Sequence, residues 1–253
     1  MDFLGTPDMG PMMFFGLTFA SFATAFIGVF TGTAGGVILL ALMAAVMPPS
    51  VLVPVHTVVQ LGSGVSRTII MWRYVLKSTL PPFILGAVIG AGVGAKTFVA
   101  LPTHVLLGMI GTFILIVTWL PKLSKMGAER KRFAALGFAA TFLGMFVSAT
   151  GTLITPFVAS ASPDRRNHAA TQGALMIFVH IFKLVAFGYL GFAISDYLPL
   201  MGAMIATGAV GNWLGEEALA RTSEQRFRLL LKIFVTILAL DLVWRALRDG
   251  GFI

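Results

Sequence analysis

Two histidine–glutamine pairs stand out in a chain that is otherwise poor in polar groups. His56 and Gln60 lie four residues apart, as do His168 and Gln172, and the two pairs are separated by 112 residues. Residues four apart on a helix share a face. An imidazole and an amide so placed could bind an oxyanion or exchange a proton; the competing role is hydrogen bonding between packed helices. Upstream of each pair lies a stretch of small residues. Thr31, Thr33, Gly35 and Gly36 mark the first, and Thr150 and Thr152 the second. The hydroxyls could donate to an anion or cap a broken helix, and glycine lets another group come close to the backbone.

Lys183 completes the set, as the one basic residue well inside a predicted crossing. A charge within a membrane is costly and suggests function, unless the side chain snorkels to a headgroup. Lys183 follows His168 by 15 residues, roughly 22 Å along a helix. If His168 belongs to a central site, Lys183 is expected at the outer end of the pathway. There it would draw an anion outward or hold a gate, pairing with a helix C-terminus or with Asp196. His180 shares its face, and Arg67, Lys96 and Asn212 are assigned to topology and packing. The four histidines form no close ligand cluster, so no metal site is predicted. Neither a Walker motif nor paired catalytic carboxylates occur, so an enzyme or ATPase and any cofactor are not predicted.

The elements that position these residues are duplicated. Gly28 to Gln60 and Gly144 to Gln172 each run from an apolar stretch through a small-residue break, a shorter apolar run and a proline-bearing turn to His-x-x-x-Gln. GAVIGAG from Gly86 is echoed by GAMIATG from Gly202. Repeated, interrupted apolar segments point to a transporter built from two structural repeats. Helices are predicted over Pro11–Phe30, Val37–Met47, His56–Trp72 (entered after Pro54), Pro81–Phe98, Pro102–Trp119, Phe133–Ala149, Leu153–Ala161, His168–Phe187, Leu198–Trp213 and Leu229–Trp244. Leu214–Arg228 reads as a charged loop, and Arg245, Arg248 and Asp249 fall beyond the last helix. The fold class is an all-α polytopic membrane protein with about eight hydrophobic segments. It is read as one transporter domain, 1–253: repeat one over 11–121, a cytoplasmic linker over 122–132 and repeat two over 133–248.

Composition agrees. Hydrophobic residues make up 57% of the 253 and charged ones only 11%, against roughly 25% in soluble domains. The formal net charge of +8 would suggest nucleic acid in a soluble protein. Here the basic residues cluster in loops between apolar runs, which topology explains better. Cysteine is absent, which removes disulfide and thiolate chemistry. The start, MDFLGTPDMG, lacks the basic n-region of a cleavable signal.

Loop charge also chooses between arrangements. If every apolar segment crossed the membrane, basic loops of the two halves would favour opposite sides. If each interrupted segment enters and returns on the same side, each half is a re-entrant hairpin plus three crossings, and the halves are inverted. Fourteen of the 18 Lys and Arg residues then lie inside, and only Lys96, Arg245 and Arg248 outside, as the positive-inside rule requires. The second arms would aim their amide ends, which favour anions, at the centre.

With the segments Gly32-Thr33-Ala34-Gly35-Gly36 before Pro48 and Pro49, and Ser148-Ala149-Thr150-Gly151-Thr152 before Pro156, the chain resembles the TauE/SafE family of sulfite and organosulfonate exporter-like membrane proteins. The resemblance covers nearly the whole chain, although the second copy is poor in glycine. It implies a secondary transporter of a small anion, such as sulfite, an organosulfonate or a sulfur-containing carboxylate, in a bacterial inner membrane. Coupling to a proton or ion gradient stays open, as does the rival reading of a passive channel or facilitator. The expected partners are the small anion and membrane lipid, with no nucleic acid; a homo-oligomer stays open.

The topology has a direct test. Single cysteines introduced beside Arg130 and beside Arg165 should both label from the cytoplasmic face with a membrane-impermeant maleimide. Labelling from opposite faces would exclude the re-entrant arrangement.

Overall fold

The computed structural model describes residues 3–31, 34–70, 72–119, 130–148, 150–162, 164–219 and 225–252. Thr33 and most of the central basic loop, 120–129, lie outside this set. Among the described residues the α-helices are α1 (Pro11–Thr31), α2 (Ala34–Val46), α3 (Pro49–Ile70), α4 (Leu80–Ala100), α5 (Thr103–Trp119), α6 (Arg130–Val147), α7 (Gly151–Ala161), α8 (Arg165–Tyr189), α9 (Leu198–Leu219) and α10 (Gln225–Asp249). No strand is present among them. Among the described residues three stretches are long and apolar enough to cross a membrane: Pro11–Gly28, Lys77–Ala100 and Ala170–Tyr189.

Both breaks fall where the small residues stand, and the arms that follow are short. α2 has 13 residues and α7 has 11, roughly 20 and 16 Å long, less than the ~30 Å hydrocarbon core. α3 starts at Pro49, seven residues before the predicted His56, and carries Pro54 inside it. Pro49 at its first position has its φ already set for a helix. The amide that Pro54 lacks would have served Ser50, an exposed residue of the first turn, so the missing bond costs little there. α9 and α10 run further into charged sequence than predicted, so Arg245, Arg248 and Asp249 are helical. Ala, Leu, Glu and Arg are strong helix formers, so loss of apolarity there marks the edge of the apolar layer and not the helix end.

The helices group into two compact units that do not follow the two sequence halves. One unit holds α1, α2, the start of α3, α5, α9 and α10. Within it α1 packs on α9 and α5 on α10. Hydroxyls stitch the first pair: Ser21 Oγ donates to the Met204 carbonyl at 2.7 Å, and Thr207 Oγ1 to the Thr18 carbonyl at 2.9 Å. Such bonds hold helices together where water does not compete. Trp119 Nε1 donates to Thr236 Oγ1 at 2.9 Å between α5 and α10, and Arg245 Nη1 donates to the Ala45 carbonyl at the end of α2 at 3.1 Å.

The other unit holds the rest of α3 with α4, α6, α7 and α8. Its core joins Phe83 and Ala87 of α4, Phe133, Leu136 and Ala140 of α6, Ile154 and Val158 of α7, and Leu175 and Val179 of α8. The α4–α6 crossing is close because Gly86 and Gly137 face the partner backbone: a Cβ on Gly86 would overlap the Ala134 carbonyl, and one on Gly137 the Phe83 carbonyl. Bulky apolar side chains point outward, with Phe19 and Leu85 about two-thirds exposed at 67% and 68%, while Thr57, Thr141, Thr171, His56 and Lys183 are buried. An apolar exterior over a partly polar interior is the arrangement a lipid surround favours.

Gly86→Ala should lower the thermal midpoint in detergent, since overpacking of this kind costs about 1–3 kcal/mol. Gly92→Ala is the control: a Cβ there meets nothing within 4 Å, and its midpoint should hold or rise. Equal midpoints for the two variants would show that the α4–α6 approach is not limiting.

Candidate functional site

α6 ends at Val147, and the chain turns at Ser148, whose φ of +56° puts a non-glycine residue in the left-handed region. Such a conformation is strained and is held only where the surroundings enforce it. Lys183, on α8, comes to this turn. It is fully buried, and its Nζ donates to Ser148 Oγ at 3.0 Å. That is its single polar contact among the described residues. A Cβ on Gly144, one turn before Ser148, would stand 3.4 Å from both Lys183 Cδ and Thr150 Oγ1. The lysine stem and the threonine hydroxyl therefore border the same point on α6.

The hydroxyls around the break behave unlike the others. On the helices Thr24, Thr57, Thr68 and Thr118 each bond the carbonyl four residues back, the usual way to satisfy a buried threonine. Thr150 sits at the N-cap position of α7 without capping it. Among the described residues the Oγ1 atoms of Thr150 and Thr152 are buried with no hydrogen-bond partner, as are those of Thr141 and, near the N-terminus, Thr6. Thr141, Gly144 and Ser148 follow one another at three and four residues along one face of α6. A buried hydroxyl without a partner costs about 1–3 kcal/mol, so that of Thr150, beside the Lys183 stem, marks a place prepared for a polar guest.

The histidine–glutamine pairs are divided rather than matched. α3 starts at Pro49 and α8 at Arg165, so His56 and Gln172 hold the same position, the eighth, in their helices. They also do the same work. His56, fully buried, bonds the Gly36 carbonyl through Nε2 at 3.0 Å, and Gln172 Nε2 donates to the Gly151 carbonyl at 3.3 Å. Each side chain grips the first turn of the second arm in its own half. His168 lies one turn earlier on α8 and bonds the Ser162 carbonyl in the α7–α8 turn. Gln60 is half-buried and forms no side-chain hydrogen bond among the described residues.

Lys183 does not reach a surface; it is buried beside the second break. Gly35 is packed in by backbone: a Cβ there would overlap the Thr24 carbonyl and lie 2.9 Å from Gly28 Cα. Gly36 gives its carbonyl to His56. Thr31 closes α1, and Thr33 lies outside the described residues. The structure thus gathers Lys183, Thr150 and Thr152 at the second break and sets His168 apart at the turn. Ser148, Gly144 and Thr141 were not picked out from the sequence. A small polar residue closing an apolar helix just before Thr-Gly-Thr was the available sign for Ser148. No group of three or more metal-binding side chains occurs among the described residues.

The sequence model described as Sulfite exporter TauE/SafE matches residues 17–242. Searches of curated proteins and of solved structures returned no match.

The grip on the arms can be tested directly. His56→Leu leaves the Gly36 carbonyl without its side-chain partner and should lower the thermal midpoint, by an amount corresponding to about 1–3 kcal/mol. His56→Gln supplies an amide at the position where Gln172 does this work and should recover most of the loss. Equal midpoints for the two variants would show that the bond is idle.

Proposed function

The chain belongs to the sulfite exporter TauE/SafE family, a family of membrane transporters of sulfite or related anions, and from that premise we propose that it is a secondary transporter exporting a small sulfur-containing anion. Sulfite and organosulfonates are the substrate classes, and a bacterial inner membrane is the setting. The observation that carries the reading is Lys183, a cation buried at a helix break beside hydroxyls that lack partners. Fixed donors around a dry cation are what an anion needs to leave water. The first turn of α7 begins at the same break and adds amide donors.

Inverted halves are part of this proposal. Supporting them, α1, the first helix of the first half, packs on α9, the fourth of the second, while α6, the first of the second half, packs on α4, the fourth of the first. His56 and Gln172 serve their own arms alike. Gradient coupling distinguishes the transporter from a passive facilitator: uptake into proteoliposomes against a sulfite gradient, abolished by a protonophore or ionophore, is the expected result.

Lys183→Met keeps much of the apolar stem and removes the charge. Sulfite flux should fall about ten- to a hundred-fold, as expected for losing a charged hydrogen bond worth about 1.5–3 kcal/mol. Lys183→Arg should retain part of it. Initial rates in proteoliposomes at matched protein density decide the matter; unchanged flux in Lys183→Met would remove the site from the mechanism.

A further inference from the structure

We propose that the α6–α7 break is a single-charge head site. It takes the oxyanion head of the substrate as a monoanion, a sulfonate or hydrogensulfite, and discriminates against dianions such as sulfate and fully ionised sulfite. Lys183 supplies the charge; Ser148 and Thr150 supply hydrogen bonds. The inference rests on the anion-transport reading above and narrows it.

Charge counting comes first. Lys183 is the single Lys, Arg, Asp or Glu that is buried among the described residues. One of its three N–H groups is given to Ser148 Oγ, which leaves two for a guest. In a dry site a charge must be matched. One ammonium matches one negative charge, and a second would be buried unpaired. The positive end of α7 adds partial charge but not a full unit.

Hydrogen bonding comes second. Among the described residues the hydroxyls of Thr150 and Thr152 are buried without partners, and Ser148 is already turned to Lys183. Hydroxyls rotate to donate or accept and add no charge. They can meet several oxygens of a sulfonate or hydrogensulfite head. Gly144 leaves the adjoining point on α6 without a side chain: a Cβ there would stand 3.4 Å from both Lys183 Cδ and Thr150 Oγ1 and 3.6 Å from Val179 Cγ1.

The halves differ in just this respect. In the first half Gly28 and Gly35 close on one another backbone to backbone. In the second, Gly144 meets the hydroxyl of Thr150 and the stem of Lys183 instead. The first contact is a packing device, and the second is chemically equipped. Among the described residues Lys96 on α4, Lys131 and Arg132 on α6, and Arg73 and Lys77 before α4 are exposed; Asp164 and His168 at the α7–α8 turn are half-buried, and His180 is buried on α8 itself.

The test is competition against radiolabelled sulfite uptake by the full chain in proteoliposomes. Methanesulfonate, a monoanion across the usable pH range, should inhibit at a concentration at least about tenfold below sulfate, a difference of about 1.4 kcal/mol. Sulfite's own apparent affinity should fall more steeply than that of methanesulfonate as pH rises through sulfite's second ionisation. If the two weaken in parallel, the pH effect belongs to a protein group, Lys183 and His180 included, and the inference is overturned. Sulfate competing as well as methanesulfonate overturns it too, yet leaves anion transport standing. No competition by either anion, with none by sulfite itself, overturns both.

Thr150→Val keeps the shape and removes the hydroxyl, Ser148→Ala removes the other, and Gly144→Ala places a methyl between Thr150 and Lys183. Each should raise the KM for methanesulfonate several-fold, with Vmax largely kept. Methanesulfonate should also lose its stabilising shift of the thermal midpoint, while the ligand-free midpoint of Thr150→Val holds or rises, since the variant removes a buried hydroxyl without a described partner. An unchanged KM in both hydroxyl variants would overturn their assignment to the site.

Discussion

The structure turns on one buried ammonium. Placing Lys183 in a dry interior is costly, and the described partner that holds it is a serine in a strained backbone conformation. Several features must hold for that pairing to exist. α6 has to stop at Val147 so that Ser148 can turn. α8 has to run unbroken past the break, and its 25 residues allow this. The α4–α6 crossing, kept close by glycine on both sides, fixes the helix that presents Gly144 and Ser148. Loosening any of these would leave a cation without its neighbour.

The two halves use one plan with different chemistry. Each has a long helix, a break, a short arm and a returning helix whose eighth residue grips the arm's first turn. A histidine serves in one half and a glutamine in the other, because both can offer an N–H at similar reach. At the break itself the halves part. Glycine against glycine gives backbone contact and no functional group. Threonine and lysine against glycine give a donor set. The poverty of glycine in the second segment is therefore the trace of its polar equipment.

Much of the fold was legible. Apolar runs bounded by proline gave the helices, and the Thr/Gly stretches gave both breaks, since small residues weaken a helix locally. What failed was anything set by how helices run past one another. The separation of His168 and Lys183, roughly 22 Å, follows from helix rise alone. His168 marks its start at the α7–α8 turn, where it bonds the Ser162 carbonyl. Counting from the turn, a residue that far along α8 has passed the length of α7, roughly 16 Å, and arrives at the break. The spacing of the His-x-x-x-Gln elements misled in the same way. Identical letters four apart drew the pairing His56 with His168, whereas helix position and hydrogen bonding associate His56 with Gln172. Pro54 was read as a boundary because proline is a strong local sign, yet near a helix start its missing amide matters little.

The short arms show how such a break survives. α7 is 11 residues long and carries Pro156 within it, so the amide that would bond the Thr152 carbonyl is missing. An isolated helix of this length would not hold in water. Its stability has to come from neighbours, and Ile154 and Val158 are buried against α4, α6 and α8. Gln172 adds a bond at the Gly151 end and His168 one at the Ser162 end. Packing therefore carries the middle of the arm, and side chains of α8 hold both its ends. The polar groups at its start are consequently free of structural duty. Thr150 does not cap α7, and Thr152 stands in the first turn, where the carbonyl four residues back belongs to Ser148, outside the helix.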